Sequence, residues 1–276
     1  MPTPASASNE NHLLLLCAAP AAAFLAAFWL LPAIRLLMLP ASTGWQTYFI
    51  VLTDSKYFGI LLNTLLLSLL TTAATLVLGA AVGLTLARHH LPGKALLLSL
   101  LTLPLSFPGV IVGFFVILTG GRQGLLANLT SALGLGRVTF AYTLVGLFVA
   151  YLYFSLPRAI ANYHAAALAF DNALEEAART LGASRWRIAR DVWWPQFLPT
   201  TIGNGAIVFA TAMGAFGTAF TLSTRFDVLP ITIYDEFTNY TNFAVAASLS
   251  ISLALLTWLV LQLARRMGNT GGGAGG

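Results

Sequence analysis

Six apolar runs, at residues 13–39, 58–87, 95–118, 138–156, 199–222 and 243–264, hold a single charged side chain among them, Arg35. A helix needs roughly 20 apolar residues to cross the hydrocarbon of a bilayer. An isolated strand of that composition would leave its backbone donors and acceptors unpaired in lipid, so the runs predict helices. The fold class that follows is all-α: a polytopic membrane protein with about six transmembrane helices. Arg35 lies near one end of its run, where a long side chain can snorkel to the interface.

Composition closes off the alternatives. Of the residues, 58% are hydrophobic and 8% charged, against roughly 25% charged in a soluble domain. The net charge of +5 fits basic loops on one membrane face. No basic stripe with interleaved aromatics is present, so nucleic acid is not an expected partner. Cys17 is the single cysteine, which excludes an internal disulfide or a cysteine-rich metal site. The apolar run after the polar start outlasts the roughly 7–15 residues of a signal-peptide core, so an uncleaved span is expected. Three segments are expected: 1–57 with the first span and an external loop, a core of 58–264, and a flexible tail of 265–276.

The distribution of Lys and Arg sets the expected orientation. One set of loops carries nine of them, from Arg88, Lys94 and Arg158 through Arg179, Arg185, Arg187 and Arg190 to Arg265 and Arg266. The opposite set carries four: Lys56, Arg122, Arg137 and Arg225. The first set is therefore expected in the cytosol, with both termini. Residues 223–242 become an external loop, whose acids Asp227, Asp235 and Glu236 are read as solvated. Pro104 and Pro108 interrupt the third run, and a packing kink is expected there. Gly79 with Gly83, and Gly109 with Gly113, stand at the four-residue spacing that lets membrane helices approach closely.

The segment 158–198 is the longest expected cytoplasmic connection. Within it Ala173, Leu174, Ala177, Ala178 and Leu181 fall on one helical face. Asp171 or Asn172 can cap the start, Glu175 and Arg179 form an i,i+4 pair, and Gly182 stands where a helix would stop. A second amphipathic helix begins at Arg185 and leads through Trp193, Trp194 and Pro195 into the fifth span. Such a hairpin suits either docking into a partner's groove or lying on the bilayer surface.

Glu176, Ala177, Ala178, Gly182, Val192, Trp194 and Pro195 follow the pattern of the EAA loop. In that pattern this chain resembles permease subunits of type I binding-protein-dependent ABC importers. Val192 and Trp194 replace the usual isoleucine and leucine and keep an apolar group. The resemblance implies a cytoplasmic helical coupling loop that docks on a separate ATPase. Glu175, Glu176, Ala177, Ala178, Arg179, Gly182, Arg185 and Arg187 are its expected ATPase-coupling residues. It further implies a second permease chain, related or identical, an external substrate-binding protein, and a bacterial inner-membrane location. No cofactor is expected in this chain, with ATP and Mg held by the partner ATPase. The single Gly-Lys, Gly93–Lys94, is followed by Ala95 and lacks the upstream glycine of a P-loop.

Residues 103–115 and 214–222 resemble the sulfate and molybdate, iron(III), polyamine and aminoethylphosphonate branches of these permeases. Where many of those relatives carry an acid, this chain has Ala215. Asn204, Thr211, Thr218 and Thr221 are the candidate pathway residues, with interhelical hydrogen bonding as their alternative role. His12, His89, His90 and His164 form no ligand cluster, and no nucleophile, base and orienting group converge, so no catalytic or metal site is expected. A secondary transporter would need buried ionisable groups for ion coupling and inverted repeats. A membrane scaffold would differ from a permease only in the partner that its hairpin binds.

Overall fold

The computed structural model describes residues 18–224 and 226–271. Cys17, His12, Arg225 and the final glycines, on which some sequence expectations fall, lie outside the described residues. Among the described residues five helices are long and apolar enough to cross a membrane, six if one bent pair is counted as a single span. The all-α polytopic class is therefore what the chain adopts.

Helix α1 (Ala18–Ser42) exposes its apolar surface throughout, with Phe24, Phe28 and Trp29 outward. Only its end reaches the body, where Pro40 is buried. Helix α2 (Ser55–Arg88) begins at Asp54, whose carboxylate accepts the Lys56 amide. Its 34 residues span about 51 Å at 1.5 Å per residue, well beyond a 30 Å hydrocarbon layer. That excess length carries Arg88 out to the hairpin described below.

Two departures concern the third and fifth runs. The third is not one kinked helix. Helix α3 (Lys94–Thr102) ends in a tight turn over Leu103–Ser106, and a new helix, α4 (Gly109–Gly120), starts after Pro108. Pro104 and Pro108 lie two and six residues past Thr102. Each removes a backbone donor, and together they leave the connecting turn without a helical ladder. With α5 (Leu125–Ala132), α4 forms the crossing. The fifth run breaks at Gly214 and Ala215: α8 (Arg185–Met213) and α9 (Phe216–Leu222) meet at 49°.

The fourth crossing is also displaced. Helix α6 (Leu144–Leu168) begins six residues after the expected start at 138 and runs twelve past the expected end at 156. Pro157 sits inside it. Arg158 consequently belongs to a crossing helix and not to a loop, and Arg35 is no longer the single charge within the spans.

Helix α10 (Leu229–Thr238) and helix α11 (Phe243–Gly271) are the last described elements, so residues 265–271 of the expected flexible tail are helical. The expected solvated loop is thus largely a packed helix. The Leu229 amide donates to Thr64 Oγ1 at 2.9 Å, and Tyr57 Oη donates to Glu236 Oε1 at 2.7 Å. Glu236 is buried, with Lys56 Nζ 3.9 Å from Oε1. A carboxylate at that depth persists because it has both a hydrogen bond and a cation.

Small residues set the central packing. A Cβ on Gly79 would stand 2.7 Å from Ala159 Cβ, and one on Gly83 2.8 Å from Ile160 O. Those glycines let α2 lie directly on α6, the contact that lipid-embedded helices gain from close backbone approach. Gly109 and Gly113 do the same for α4 against Thr218 and Thr221 of α9. Gly203 meets nothing within 4 Å, so not every glycine of the fifth run serves packing.

Candidate functional site: the helical hairpin and the central cavity

The segment between α6 and α8 folds as the sequence pattern demands. Helix α7 (Asn172–Thr180) starts where Asp171 Oδ1 accepts the Ala173 amide at 2.9 Å. It stops at Gly182, whose φ of +75° is a left-handed conformation that costs a β-carbon residue roughly 1 kcal/mol or more. The Gly182 amide bonds to Arg179 O and the Ala183 amide to Ala178 O, each at 3.0 Å. This crossed pair closes the end of a helix that stops on glycine. Ser184 Oγ then accepts the Arg187 amide and starts α8. A stacked pair, Phe170 and Phe197 with centroids 5.8 Å apart, pins the hairpin's base to α8.

Helix α7 is exposed over most of its surface and turns one charged residue inward. The side turned to the body of the protein carries Glu175, only 8% exposed. The outer side carries Leu174 at 48% and Ala177, followed by Leu181 at 87%. Trp186, at the start of α8, is 78% exposed. Apolar groups on a hairpin outside the spans remain open to a partner.

Glu175 is held by three donors. Arg179 Nη2 lies 2.6 Å from Oε1, while Arg88 Nη2 and Trp193 Nε1 lie 3.2 and 3.0 Å from Oε2. The Arg88 guanidinium also sits 4.0 Å from the centre of the Trp193 ring, a cation–π arrangement. Burial works to raise the Glu175 carboxyl. The Trp193 and Arg179 hydrogen bonds and the Arg88 and Arg179 charges outweigh it and hold the group below the usual carboxylate range. The network joins α2, α7 and α8. Glu175, expected at a partner surface, is therefore turned inward. Arg179 pairs with it, while Glu176, Ala177, Arg185 and Arg187 stay exposed and Ala178 is half-buried. The i,i+4 pair was legible; Arg88 and Trp193 were not, because nothing in sequence links position 88 to 175.

A cavity of about 360 Å³ lies where α4, α6, α8 and α9 meet, with Gly109, Tyr151, Ser155, Thr211, Gly214 and Thr218 in its wall. Tyr151 Oη donates to Ala215 O at 2.9 Å across the break between α8 and α9. Thr218 Oγ1 donates to Gly109 O at 3.1 Å. Of the four expected pathway residues, Thr211 and Thr218 line this cavity. Asn204 and Thr221 do not. Asn204 is buried and its Oδ1 accepts Asn162 Nδ2 at 2.5 Å, an interhelical bond. Thr221 Oγ1 turns back to Thr218 O at 2.9 Å. Tyr151 and Ser155 were missed because their run reads as uniformly apolar. No acidic side chain lines this cavity.

Comparison with known proteins places these features. The chain is 33% identical over 225 residues to the molybdenum transport system permease protein ModB of Escherichia coli K12, covering 79% of this chain and 96% of that protein. It is 28% identical over 238 residues to the sulfate transport system permease protein CysW of Synechocystis, covering 84% and 85%. In structure it superposes on a chain of a bacterial ABC transporter that imports the acidic polysaccharide alginate. That match has a TM-score of 0.81 at 21% identity and covers 95% of this chain and 96% of the other. A chain of the MetNI methionine ABC transporter matches at TM-score 0.57 and 18% identity, over 76% and 93%. The family of binding-protein-dependent transport system inner membrane components matches residues 76–269. The chain belongs to that family, and it is a permease subunit of an ABC importer.

Proposed function

We propose that this permease imports a tetrahedral oxyanion, of the sulfate and molybdate class, and is driven through the 172–188 hairpin by a separate ATPase. The observation that carries the coupling role is helix α7, which exposes Leu174, Ala177 and Leu181 beside Glu176 and anchors itself inward through Glu175. Glu176, Ala177, Ala178, Arg185 and Arg187 meet the ATPase surface, and Gly182 sets the turn. Glu175 and Arg179 act from behind, by fixing the helix to the spans. ATP and Mg are held by the partner, and a second permease chain and an external binding protein complete the importer. The hairpin and both termini lie in the cytosol, as the bias of Lys and Arg favours.

The substrate class is supported by relatives that carry molybdenum and sulfate in their names. It is supported too by the absence of carboxylates, which would repel an anion, from a mostly apolar cavity whose wall includes the hydroxyls of Tyr151, Ser155, Thr211 and Thr218. Two measurements test the reading. Mild detergent purification of the tagged chain recovers an ATP-binding subunit, and Gly182→Asp loses it or uncouples transport while the spans stay folded. A folded complex without any ATPase would refute the coupling role. Uptake of labelled sulfate or molybdate by the reconstituted importer tests the substrate, and uptake of neither would refute it.

A further inference from the structure

We propose that Arg158 is a specificity-determining residue of the translocation pathway, the cation that an oxyanion meets after it leaves the central cavity. This inference rests on the oxyanion reading above. Arg158 lies 14 residues into α6, about 21 Å along the helix at 1.5 Å per residue. A roughly 30 Å hydrocarbon layer entered at Leu144 would contain that depth, and a charged side chain there is retained for a function or a partner. Among the described residues nothing pairs with it: no carboxylate lies within ion-pair distance and no hydrogen bond is made by its guanidinium. It is also solvent-exposed in the single chain.

Its position on α6 is what gives it a role. Tyr151, Ser155, Arg158 and Asn162 recur at four, three and four residues, one continuous helical face. Across from them on α8 stand Thr211, Val208 and Asn204, again at helical spacing. Tyr151, Ser155 and Thr211 line the central cavity, and Ser155 and Thr211 also line a narrow pocket with Arg158 and Val208. The two spaces therefore share walls, and the stripe runs from the cavity to the Asn162–Asn204 bond towards the hairpin end. Pro157, directly before Arg158, denies the Tyr153 carbonyl its helical donor and loosens the turn that carries the guanidinium. An uncharged, mostly apolar chamber with a few hydroxyls, followed by one unpaired guanidinium, suits a dianion that must be attracted onward but not trapped. Arg offers a tetrahedral oxyanion two parallel donors.

The test uses proteoliposomes containing the complete importer, with uptake of labelled sulfate and molybdate measured per ATP hydrolysed. Arg158→Gln is expected to lower that ratio about tenfold or more, the scale of one lost charge-assisted contact, and Arg158→Lys to retain most of it. In a Cys17→Ser background, Arg158→Cys should regain transport with a cationic thiol reagent and not with a neutral or anionic one. A wild-type ratio in Arg158→Gln, equal loss in Arg158→Lys, or rescue by the neutral reagent would each overturn the proposal. Failure of every neutral variant to assemble, with Arg158→Lys assembling, would place Arg158 at the contact with the second permease and overturn it as well. If the wild-type importer moves neither anion, the oxyanion reading falls and takes this inference with it. If it moves one and Arg158→Gln does too, only this inference falls.

Discussion

Replacing Glu175 with glutamine should release the hairpin from the spans without unfolding them. The carboxylate accepts three hydrogen bonds, from Arg179, Arg88 and Trp193. A hydrogen bond to a charged group contributes roughly 1.5–3 kcal/mol. The Arg179 and Arg88 side chains are 66% and 41% exposed, so water screens their share, and each is discounted to about 0.5–1 kcal/mol. The Trp193 bond is half-buried, and glutamine's amide oxygen keeps a weaker form of it. About 2 kcal/mol of docking free energy should be lost, which raises the undocked population roughly 30-fold. Hydrogen exchange of the 173–181 amides in detergent reads that population. The pH dependence gives a second handle, because the folded carboxyl sits below its ordinary value of 4.5. Its contribution is therefore complete above that value and is lost as pH falls through the lowered one. Wild-type protection should be flat from neutrality to about pH 5 and fall only in stronger acid, while Glu175→Gln should lack that acid step. Unchanged protection in the variant, with the acid step intact, would refute the anchoring role of Glu175.

Three further outcomes follow from the packing. Gly79→Leu should prevent α2 from seating on α6, since even its Cβ would lie 2.7 Å from Ala159 Cβ; thermal unfolding in detergent should drop by the equivalent of about 3 kcal/mol, whereas Gly203→Ala, with nothing within 4 Å, should be silent. Tyr57→Phe leaves the buried Glu236 carboxylate with Lys56 alone at 3.9 Å, and the same assay should register a loss of about 1.5–3 kcal/mol. Gly182→Ala retains the hairpin's polar contacts but must adopt a φ of +75°, so it should raise exchange at the end of α7 by roughly five- to tenfold, the scale of about 1 kcal/mol.

The apolar runs made the class of fold legible, because uninterrupted apolar stretches of about 20 residues match a spanning helix and not the short alternating strands of a barrel. The hairpin was legible for a different reason. Asp171, Gly182 and the i,i+4 pair Glu175–Arg179 act within a few residues of each other, so local rules suffice. What escaped was set by packing between distant segments. The fourth apolar run ends at residue 156, yet α6 continues through Pro157, packed against α2 on one side and α8 on the other. Arg158 then reads as a loop cation when it is a membrane one. Glu236 reads as a solvated acid, and its burial is accounted for only by distant partners, Tyr57 at 179 residues' separation and its neighbour Lys56. The proline pair 104 and 108 was seen, but whether it kinks or breaks a helix depends on what receives the freed ends, here the tight approach of Gly109 to Thr218.

The same long-range contacts connect the hairpin to the cavity. Glu175 grips Arg88 at the end of α2, and Gly79 and Gly83 on α2 press directly against Ala159 and Ile160 of α6. Arg158 is the residue before that contact, and Ser155 is one turn above it. A displacement of the hairpin thus has a route of stiff helices and glycine-close contacts to the face of α6 that carries Tyr151, Ser155 and Arg158. Contiguity supplies the route and a coupling energy would establish its use. Combining Glu175→Gln with Arg158→Gln and measuring anion moved per ATP decides this. If the hairpin acts on the pathway through α2, the double variant should lose much less than the product of the two single losses. Multiplicative losses would mean that the two residues serve transport independently and would refute the route through α2.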